Sequence, residues 1–183
     1  MPKVAIGAEM RFKINEIGVE GIPLDIPLTA EWLKVACPQV DARPAPGGLV
    51  LRGRLARTGD DYLLRANISG ALETPCARCL EPARVPIASP LTITYVSFEE
   101  GKDEEDPDDE DPDVIAFSGG DIDLSDAVRD EIVITLPMNP LCKETCRGLC
   151  PVCGGNRNQV PCTCEADRGA PATPLGALAK LKV

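Results

Sequence analysis

The sequence predicts an α+β fold: an antiparallel β-sheet meander packed by one or two helices, with a small C-terminal cysteine-rich zinc element. Three observations predict it. Residues 49–57 and 62–72 alternate between apolar and polar side chains, as strands with one buried face do. Residues 121–136 carry apolar side chains at helical spacing. Six cysteines then lie close together between Cys142 and Cys164, at spacings that favour metal binding.

The first 46 residues predict only short elements, because several prolines interrupt them. Residues 12–14 have the composition of a short strand. Thr29 is a candidate N-cap for a helix that ends at Ala36. Its apolar positions would be Trp32, Leu33 and Val35.

The strongest β signal lies in the next fifty residues. The two alternating runs are separated by a short loop rich in Gly and Asp, residues 58–61, and this pattern predicts a hairpin. Pairing Arg57 with Tyr62 gathers most of the large apolar side chains on one face, as burial requires. This register sets three further pairs opposite each other: Leu55 and Leu64, Leu51 and Ile68, Arg54 and Arg65. A third run, residues 91–96, completes the meander.

The predicted register also gathers three arginines on the solvent face of the sheet. Arg54 lies directly opposite Arg65, with Arg52 beside them, and like charges at such positions repel each other. Either the solvated guanidinium groups move apart at small cost, or the patch contacts phosphate groups. Arg52, Arg54 and Arg65 are therefore candidate RNA-contact residues.

The negative charge of the chain is concentrated in residues 99–113. The chain has a net charge of −10, and this segment contains 11 acidic residues and one lysine, so the remainder is neutral. Such a segment cannot pack into a core, and we expect a disordered loop. It would serve either as a connector that aids solubility or as a binding site for a basic protein. We expect it to separate a β core, residues 1–98, from residues 114–183 of the same domain.

Two helices are predicted after the acidic segment. In residues 121–136 either Asp123 or Ser125 is the candidate N-cap, and Pro137 ends the helix. The β-branched residues near its end also permit an extended conformation. A last short helix begins at Thr173 and would dock on the sheet. Its apolar stripe would be Leu175, Leu178 and Leu181.

The C-terminal cysteines predict a structural zinc site. Cys150 and Cys153 flank two residues and are followed by Gly154, as in a zinc knuckle. Because the chain has no histidine, we expect four cysteine sulfurs as ligands. The second pair is either Cys142 and Cys146 or Cys162 and Cys164, which leaves two thiols spare. The candidate ligands are Cys142, Cys146, Cys150, Cys153, Cys162 and Cys164. A closed four-sulfur site stabilises a fold and activates no water.

Cys76 and Cys79 form a separate thiol pair on the turn between two predicted strands. The pair would be a redox dithiol or half of a second metal site. A redox dithiol of the thioredoxin type opens a helix that lowers the pKa of its thiol, and a strand turn fits that pattern poorly. Cys37 stands alone and is expected to be a small buried side chain.

Composition excludes several classes of function. Without histidine the chain has no imidazole base, so Ser-His-Asp and Cys-His hydrolases are excluded. We expect no signal peptide and no transmembrane segment, and nine cysteines without an export signal indicate reduced thiols or metal ligands. A cytoplasmic protein without a membrane partner or small-molecule substrate is expected.

Several segments, taken in chain order, resemble one known family. The most specific are CARCLEP at residues 76–82, LPMNPLC at 136–142 and LCPVCG at 149–154. Further matching segments are residues 123–131, 146–148, 156–158, 162–164 and 178–182. Together they resemble the YceD family, also called large ribosomal RNA subunit accumulation proteins.

The resemblance implies a bacterial cytoplasmic protein that supports the synthesis, processing or stability of large-subunit ribosomal RNA. It implies no enzymatic activity and no catalytic residue. Some members of the family lack the C-terminal cysteines, so the zinc element would support the fold and would not be the shared activity.

Three function hypotheses follow. The first is a factor that contacts ribosomal RNA through the three arginines. The second is a zinc-binding interaction module that holds a basic large-subunit ribosomal protein by the acidic segment. The third is a thiol redox protein acting at Cys76 and Cys79, which requires a thiol of lowered pKa.

Overall fold

The structure is a computed structural model that describes residues 10–98, 111–160 and 162–165, with only the backbone at Glu165. The predicted helix that begins at Thr173, and residues 99–110 of the acidic segment, lie outside the described residues.

Seven strands and two α-helices are present in these ranges. The strands are β1 (Arg11–Lys13), β2 (Ile22–Pro27), β3 (Arg43–Thr58), β4 (Asp61–Pro75), β5 (Pro82–Ser97), β6 (Val114–Phe117) and β7 (Asp121–Asp123). The helices are α1 (Ala30–Ala36) and α2 (Ser125–Thr135). Short 3₁₀ turns occur at Ile14–Glu16 and Thr163–Glu165. No helix in the described ranges is long and apolar enough to cross a membrane.

The main sheet has five strands in the order β2-β3-β4-β5-β6, and β1 pairs with β7 in a separate ribbon. The predicted meander is confirmed, and so is its register, with Arg57 opposite Tyr62 and Arg54 opposite Arg65. One feature differs from the prediction: β6 runs parallel to β5, so the sheet is mixed. Parallel neighbours need a long connection, and residues 98–113, which include the acidic segment, provide it.

The long strands extend further than the alternating pattern predicted. β3 begins at Arg43 and β5 at Pro82, because prolines interrupt the apolar alternation there without preventing strand geometry. A register shift in β3 separates Pro44 from Leu49. At this shift Gly70 has a φ of +139°, and a Cβ there would lie 2.2 Å from the Gly48 carbonyl oxygen. Glycine is therefore required where the two backbones meet.

Helix α1 begins where the sequence predicted. The Thr29 hydroxyl oxygen accepts a hydrogen bond from the Trp32 backbone N–H at 3.2 Å. Of the three apolar positions, Trp32 and Leu33 are buried, whereas Val35 is 65% exposed. In a helix of seven residues the buried stripe is narrow, and Val35 lies outside it.

Helix α2 is shorter than predicted at its start. Residues 121–123 form β7 and pair with β1 instead of entering the helix. The N-cap is Leu124, without a side-chain hydrogen bond, so the predicted N-caps Asp123 and Ser125 were both wrong. The Asp123 carboxylate instead accepts a hydrogen bond from the Ser125 backbone N–H at 2.9 Å, one residue ahead of the N-cap. The β-branched end stays helical as far as Thr135.

One face of the main sheet forms the core. Leu51, Leu55 and Leu64 are fully buried there, in the same apolar cluster as residues from both helices. Those helix residues are Trp32, Leu33, Ala127, Val128 and Ile132. The opposite face, which we call the open face, carries mostly exposed or half-buried side chains, among them the three predicted arginines.

Candidate metal centres

Eight of the nine cysteines form two groups of four. The first, which we call the inner cluster, consists of Cys76, Cys79, Cys142 and Cys146. The second, the outer cluster, consists of Cys150, Cys153, Cys162 and Cys164. Within each group the four sulfur atoms lie within 4.8 Å of one another. Each cluster could therefore hold one metal ion.

The structure divides the predicted ligands between these clusters. Of the two pairs proposed to complete the knuckle, Cys162 and Cys164 lie beside Cys150, and the other pair joins Cys76 and Cys79. Each of the eight cysteines belongs to a complete group of four, so the two spare thiols expected from the sequence are not found among them. The sequence did hold a signal for this arrangement, since four close pairs make two complete sets of four ligands and leave only Cys37. That residue is buried in the core, 1% exposed, as predicted.

Two sulfur separations in the inner cluster match the edges of a tetrahedral metal site. The Sγ atoms of Cys76 and Cys146 are 3.8 Å apart, and those of Cys79 and Cys142 are 3.6 Å apart. A tetrahedron with metal–sulfur bonds of about 2.3 Å has edges of about 3.8 Å. A disulfide would need about 2.05 Å, and all nine cysteines are free.

The two Cys-x-x-Cys turns share one backbone structure. In each, the residue after the second cysteine donates its N–H to the carbonyl of the first. The first cysteine donates its own N–H to the carbonyl of the residue two positions after the second cysteine. In the inner turn these bonds are Leu80 to Cys76 at 3.0 Å and Cys76 to Glu81 at 2.8 Å; in the outer turn they are Gly154 to Cys150 at 2.9 Å and Cys150 to Gly155 at 2.8 Å.

The residue after each turn adopts a left-handed conformation. Gly154 has a φ of +70°, which costs glycine nothing, whereas Leu80 has a φ of +62°. This conformation costs a residue with a Cβ about 1–2 kcal/mol. The Leu80 side chain is also 67% exposed, so it gains little from burial in return.

Segments from both clusters hold the inner cluster in place. The Asn158 side-chain amide, on the outer loop, donates a hydrogen bond to the Cys146 sulfur at 3.4 Å. The Arg78 guanidinium donates to the Cys146 carbonyl at 3.0 Å. The Arg78 carbonyl in turn accepts from the Leu149 N–H at 2.9 Å. A Cβ on Gly148 would lie 2.9 Å from that carbonyl oxygen, so the approach needs glycine.

Each cluster contains one thiol whose pKa is well below its usual value. Burial raises the pKa of Cys76, but backbone N–H groups, led by that of Cys142, lower it further, to about 6. Burial raises the pKa of Cys79. In the outer cluster the backbone N–H groups of Cys153 and Val152 lower the pKa of Cys150 to about 6. Burial also raises the pKa of Cys146, but hydrogen bonds from the Asn158 amide and the Gly148 N–H outweigh this and lower it. Each cluster thus contains at least one thiol that favours the thiolate, the form that binds metal.

The low pKa of Cys76 meets one requirement of the redox hypothesis. The turn lies between β4 and β5, however, and no helix begins there. Two further sulfurs, those of Cys142 and Cys146, lie close to the pair. The same backbone donors that favour a reactive thiolate also favour a thiolate ligand, and the nearby sulfurs complete a ligand set.

The three predicted arginines do share the open face. All are exposed, and Arg54 pairs directly with Arg65. The Arg52 guanidinium donates to the Asp25 carboxylate at 3.1 Å, and that of Arg54 donates to the backbone carbonyls of Glu20 and Gly21. The Asp25 contact was missed because the pairing of β2 with β3 was not predicted. Within the described ranges the Arg65 guanidinium has no hydrogen-bond or ion-pair partner.

Comparison with known proteins gives one family match. The model of the family described as "Large ribosomal RNA subunit accumulation protein YceD" matches residues 64–182. That range contains all eight cysteines of the two clusters and Arg65, but not Arg52 or Arg54. No solved structure matches the chain significantly.

Individual relatives match over shorter ranges. An uncharacterized protein of Mycobacterium tuberculosis is 31% identical over 101 residues, 55% of this chain and 47% of its own length. A Zea mays protein named "Large ribosomal RNA subunit accumulation protein YCED homolog 1, chloroplastic" is 32% identical over 125 residues, 55% of this chain and 43% of its own. The match spans less than half the length of these relatives.

Proposed function

Because this chain belongs to the YceD family of large ribosomal RNA subunit accumulation proteins, we propose that it is a non-enzymatic factor supporting the synthesis, processing or stability of large-subunit ribosomal RNA. The observation that carries the proposal is the family match over residues 64–182, which spans both cysteine clusters and most of the sheet. The name of the Zea mays relative supports the same role. In this proposal the protein works in the bacterial cytoplasm, where bacterial ribosomal RNA is made.

In this proposal each cysteine cluster holds one structural zinc ion. The donor sets consist of thiols alone, and four thiolates in a tetrahedron are typical of structural zinc. The sulfur separations of 3.8 and 3.6 Å in the inner cluster support this choice. With four protein ligands no position is left for water or substrate, so zinc would stabilise the fold and take no part in chemistry.

The proposed partner is large-subunit ribosomal RNA, contacted through Arg52, Arg54 and Arg65. Exposed guanidinium groups from neighbouring strands repel one another, and a phosphate group placed between them relieves that repulsion. The competing partner, a basic ribosomal protein, depends on the acidic segment at residues 99–113, most of which lies outside the described residues.

Deletion of the gene tests the proposal. We expect the ratio of large- to small-subunit ribosomal RNA to fall, with a matching loss of large subunits on a sucrose gradient. The wild-type gene should restore both. Complementation with Cys76→Ser and with Arg65→Glu then asks whether the fold and the arginine patch are each needed. An unchanged RNA ratio in the deletion strain would contradict the proposed function.

A further inference from the structure

We infer that the RNA bound at the open face is double-stranded and is recognised through its phosphates and 2′-hydroxyl groups. The inference rests on the proposed function and names the class of RNA that its arginine patch would take. It follows from three properties of the open face: its charges, the neutral polar residues between them, and the absence of exposed aromatic side chains.

The three clustered arginines of the open face suit a phosphate backbone. Arg54 and Arg65 are directly opposite each other on β3 and β4, and Arg52 lies two residues from Arg54 on the same face. The only acid paired with these positions in the described sheet is Asp25, which Arg52 already contacts. Guanidinium groups bind phosphate oxygens in a bidentate manner, and such contacts carry no sequence information.

Neutral polar residues occupy the positions next to the arginines. Thr92 on β5 lies directly opposite Arg65, and Asn67 on β4 lies directly opposite Arg52. Both side chains are exposed. A hydroxyl and an amide beside phosphate-binding groups can exchange hydrogen bonds with ribose 2′-hydroxyls. Double-stranded RNA displays these hydroxyls across a wide, shallow minor groove, which a broad sheet face can approach.

Single-stranded RNA needs a different surface. Proteins that bind it commonly stack several successive bases on exposed aromatic side chains, with arginine guanidinium planes as additional stacking partners. The chain has six aromatic residues, all within the described ranges, and none is exposed. Trp32, Tyr62 and Tyr95 are in the core, and the three phenylalanines are half-buried. The open face thus offers phosphate and ribose contacts without an aromatic stacking platform.

Direct binding measurements test the inference. The full-length zinc-loaded protein is titrated with an RNA duplex of about 16 base pairs, with an unstructured single strand of equal length, and with a DNA duplex of the same sequence. We expect the RNA duplex to bind at least about tenfold more tightly than the single strand, with little dependence on base sequence. Equal or tighter binding of the single strand would overturn the inference and leave the proposed function standing.

Charge-reversal variants locate the contact. Arg65→Glu should weaken duplex binding by about tenfold or more and lower the salt slope by about one, because one phosphate contact is lost. Lys34→Glu makes the same change of charge on α1, which packs on the buried face, and should leave the affinity unchanged within about twofold. An equal loss in both variants would indicate general electrostatic attraction and would overturn the assignment to the open face.

A third variant tests the ribose contact. Thr92→Val keeps the β-branched shape and removes the hydroxyl, so it should reduce the preference for duplex RNA over duplex DNA while the strand remains intact. An unchanged preference would refute the role of Thr92. If no nucleic acid binds the wild-type protein while deletion still lowers large-subunit RNA, the inference fails and the proposed function survives with a protein partner.

Discussion

The inner and outer cysteine clusters begin with the same turn but are completed in different ways. In the inner cluster the second pair of cysteines lies more than sixty residues further along the chain, with sulfur contacts separated by 63 and 70 residues. In the outer cluster all four cysteines lie between Cys150 and Cys164. An ion in the inner cluster therefore closes a long loop, whereas an ion in the outer cluster closes a short one.

The cysteines of the inner cluster are also more deeply buried than those of the outer cluster. Cys76, Cys79 and Cys146 are at most 4% exposed, and the cluster joins the β4–β5 turn to the segment after α2. In the outer cluster Cys153 is exposed and only Cys150 is buried. The comparison teaches that one local turn can serve two purposes. An ion in the inner cluster would connect the sheet to the segment after α2, and an ion in the outer cluster would shape a surface loop.

The largest expected effect is the loss of the inner ion. Cys76→Ser removes a buried ligand, and we expect it to lower Tm by about 10 °C or more in zinc-containing buffer, because the long loop is no longer closed. Thermal unfolding with zinc analysis, which should show one ion per chain, measures this. Equal effects of Cys76→Ser and Cys153→Ser on Tm would contradict the expected difference between the two clusters.

The outer cluster should affect stability less and release its metal first. We expect Cys153→Ser to lower Tm by only about 3 °C, because the sheet and helices do not depend on that loop. In the wild-type protein a chelator should remove zinc in two phases, and the fast phase should be absent in Cys153→Ser. If the chelator removed zinc from the wild-type protein in a single phase, the difference in exposure would not make the two clusters lose metal at different rates.

A smaller effect is expected where the outer loop supports the inner cluster. Asn158→Ala removes the amide that donates to the Cys146 sulfur, and with it a carboxamide oxygen that accepts from the Arg147 N–H at 2.9 Å. Groups that hydrogen-bond to metal ligands change metal affinity by about tenfold when removed. Competition with a zinc indicator should show that loss in the slow phase alone. A loss of zinc affinity confined to the fast phase would contradict the role of Asn158 in supporting the inner cluster.

The smallest expected effect concerns the residue after each turn. Leu80→Gly should raise the free energy of unfolding by up to about 1 kcal/mol, because glycine adopts the left-handed conformation without strain. Gly154→Leu should lower it by a similar amount. Urea unfolding of both variants measures these two changes in the free energy of unfolding. Destabilisation by Leu80→Gly would show that the leucine side chain makes a stabilising contact that outweighs its backbone strain.

The central part of the fold could be predicted from the sequence because its information is local. The loop at residues 58–61 and the apolar alternation on either side fix the hairpin register, and the structure has that register. Thr29 likewise marks the start of α1. The start of α2 was not predictable in this way, because residues 121–123 are drawn into a ribbon with β1, a partner more than a hundred residues earlier.

The two cysteine clusters likewise differ in how far they could be predicted from local sequence. The outer knuckle could be inferred from the spacing of Cys150 and Cys153, and the pKa of Cys150 is lowered by backbone donors within that same turn. The inner cluster could be inferred only in part: Cys76 and Cys79 were a candidate half of a second metal site, but sequence spacing does not reveal that Cys76 meets Cys146. Its geometry depends on the length of β5 and on the course of the chain after α2. The proline-rich start of β5 concealed that length.

The long separation within the inner cluster also has a consequence for how the chain is made. At about 5–20 residues per second, Cys142 leaves the ribosome roughly 3–13 s after Cys79. During that interval the hairpin of β3 and β4 can form, but only half of the inner ligand set exists, and the Cys142 N–H that does most to lower the pKa of Cys76 is still missing. The nascent chain thus presents an incomplete ligand pair, and its folding is completed late, when α2 and the following segment arrive with the remaining sulfurs.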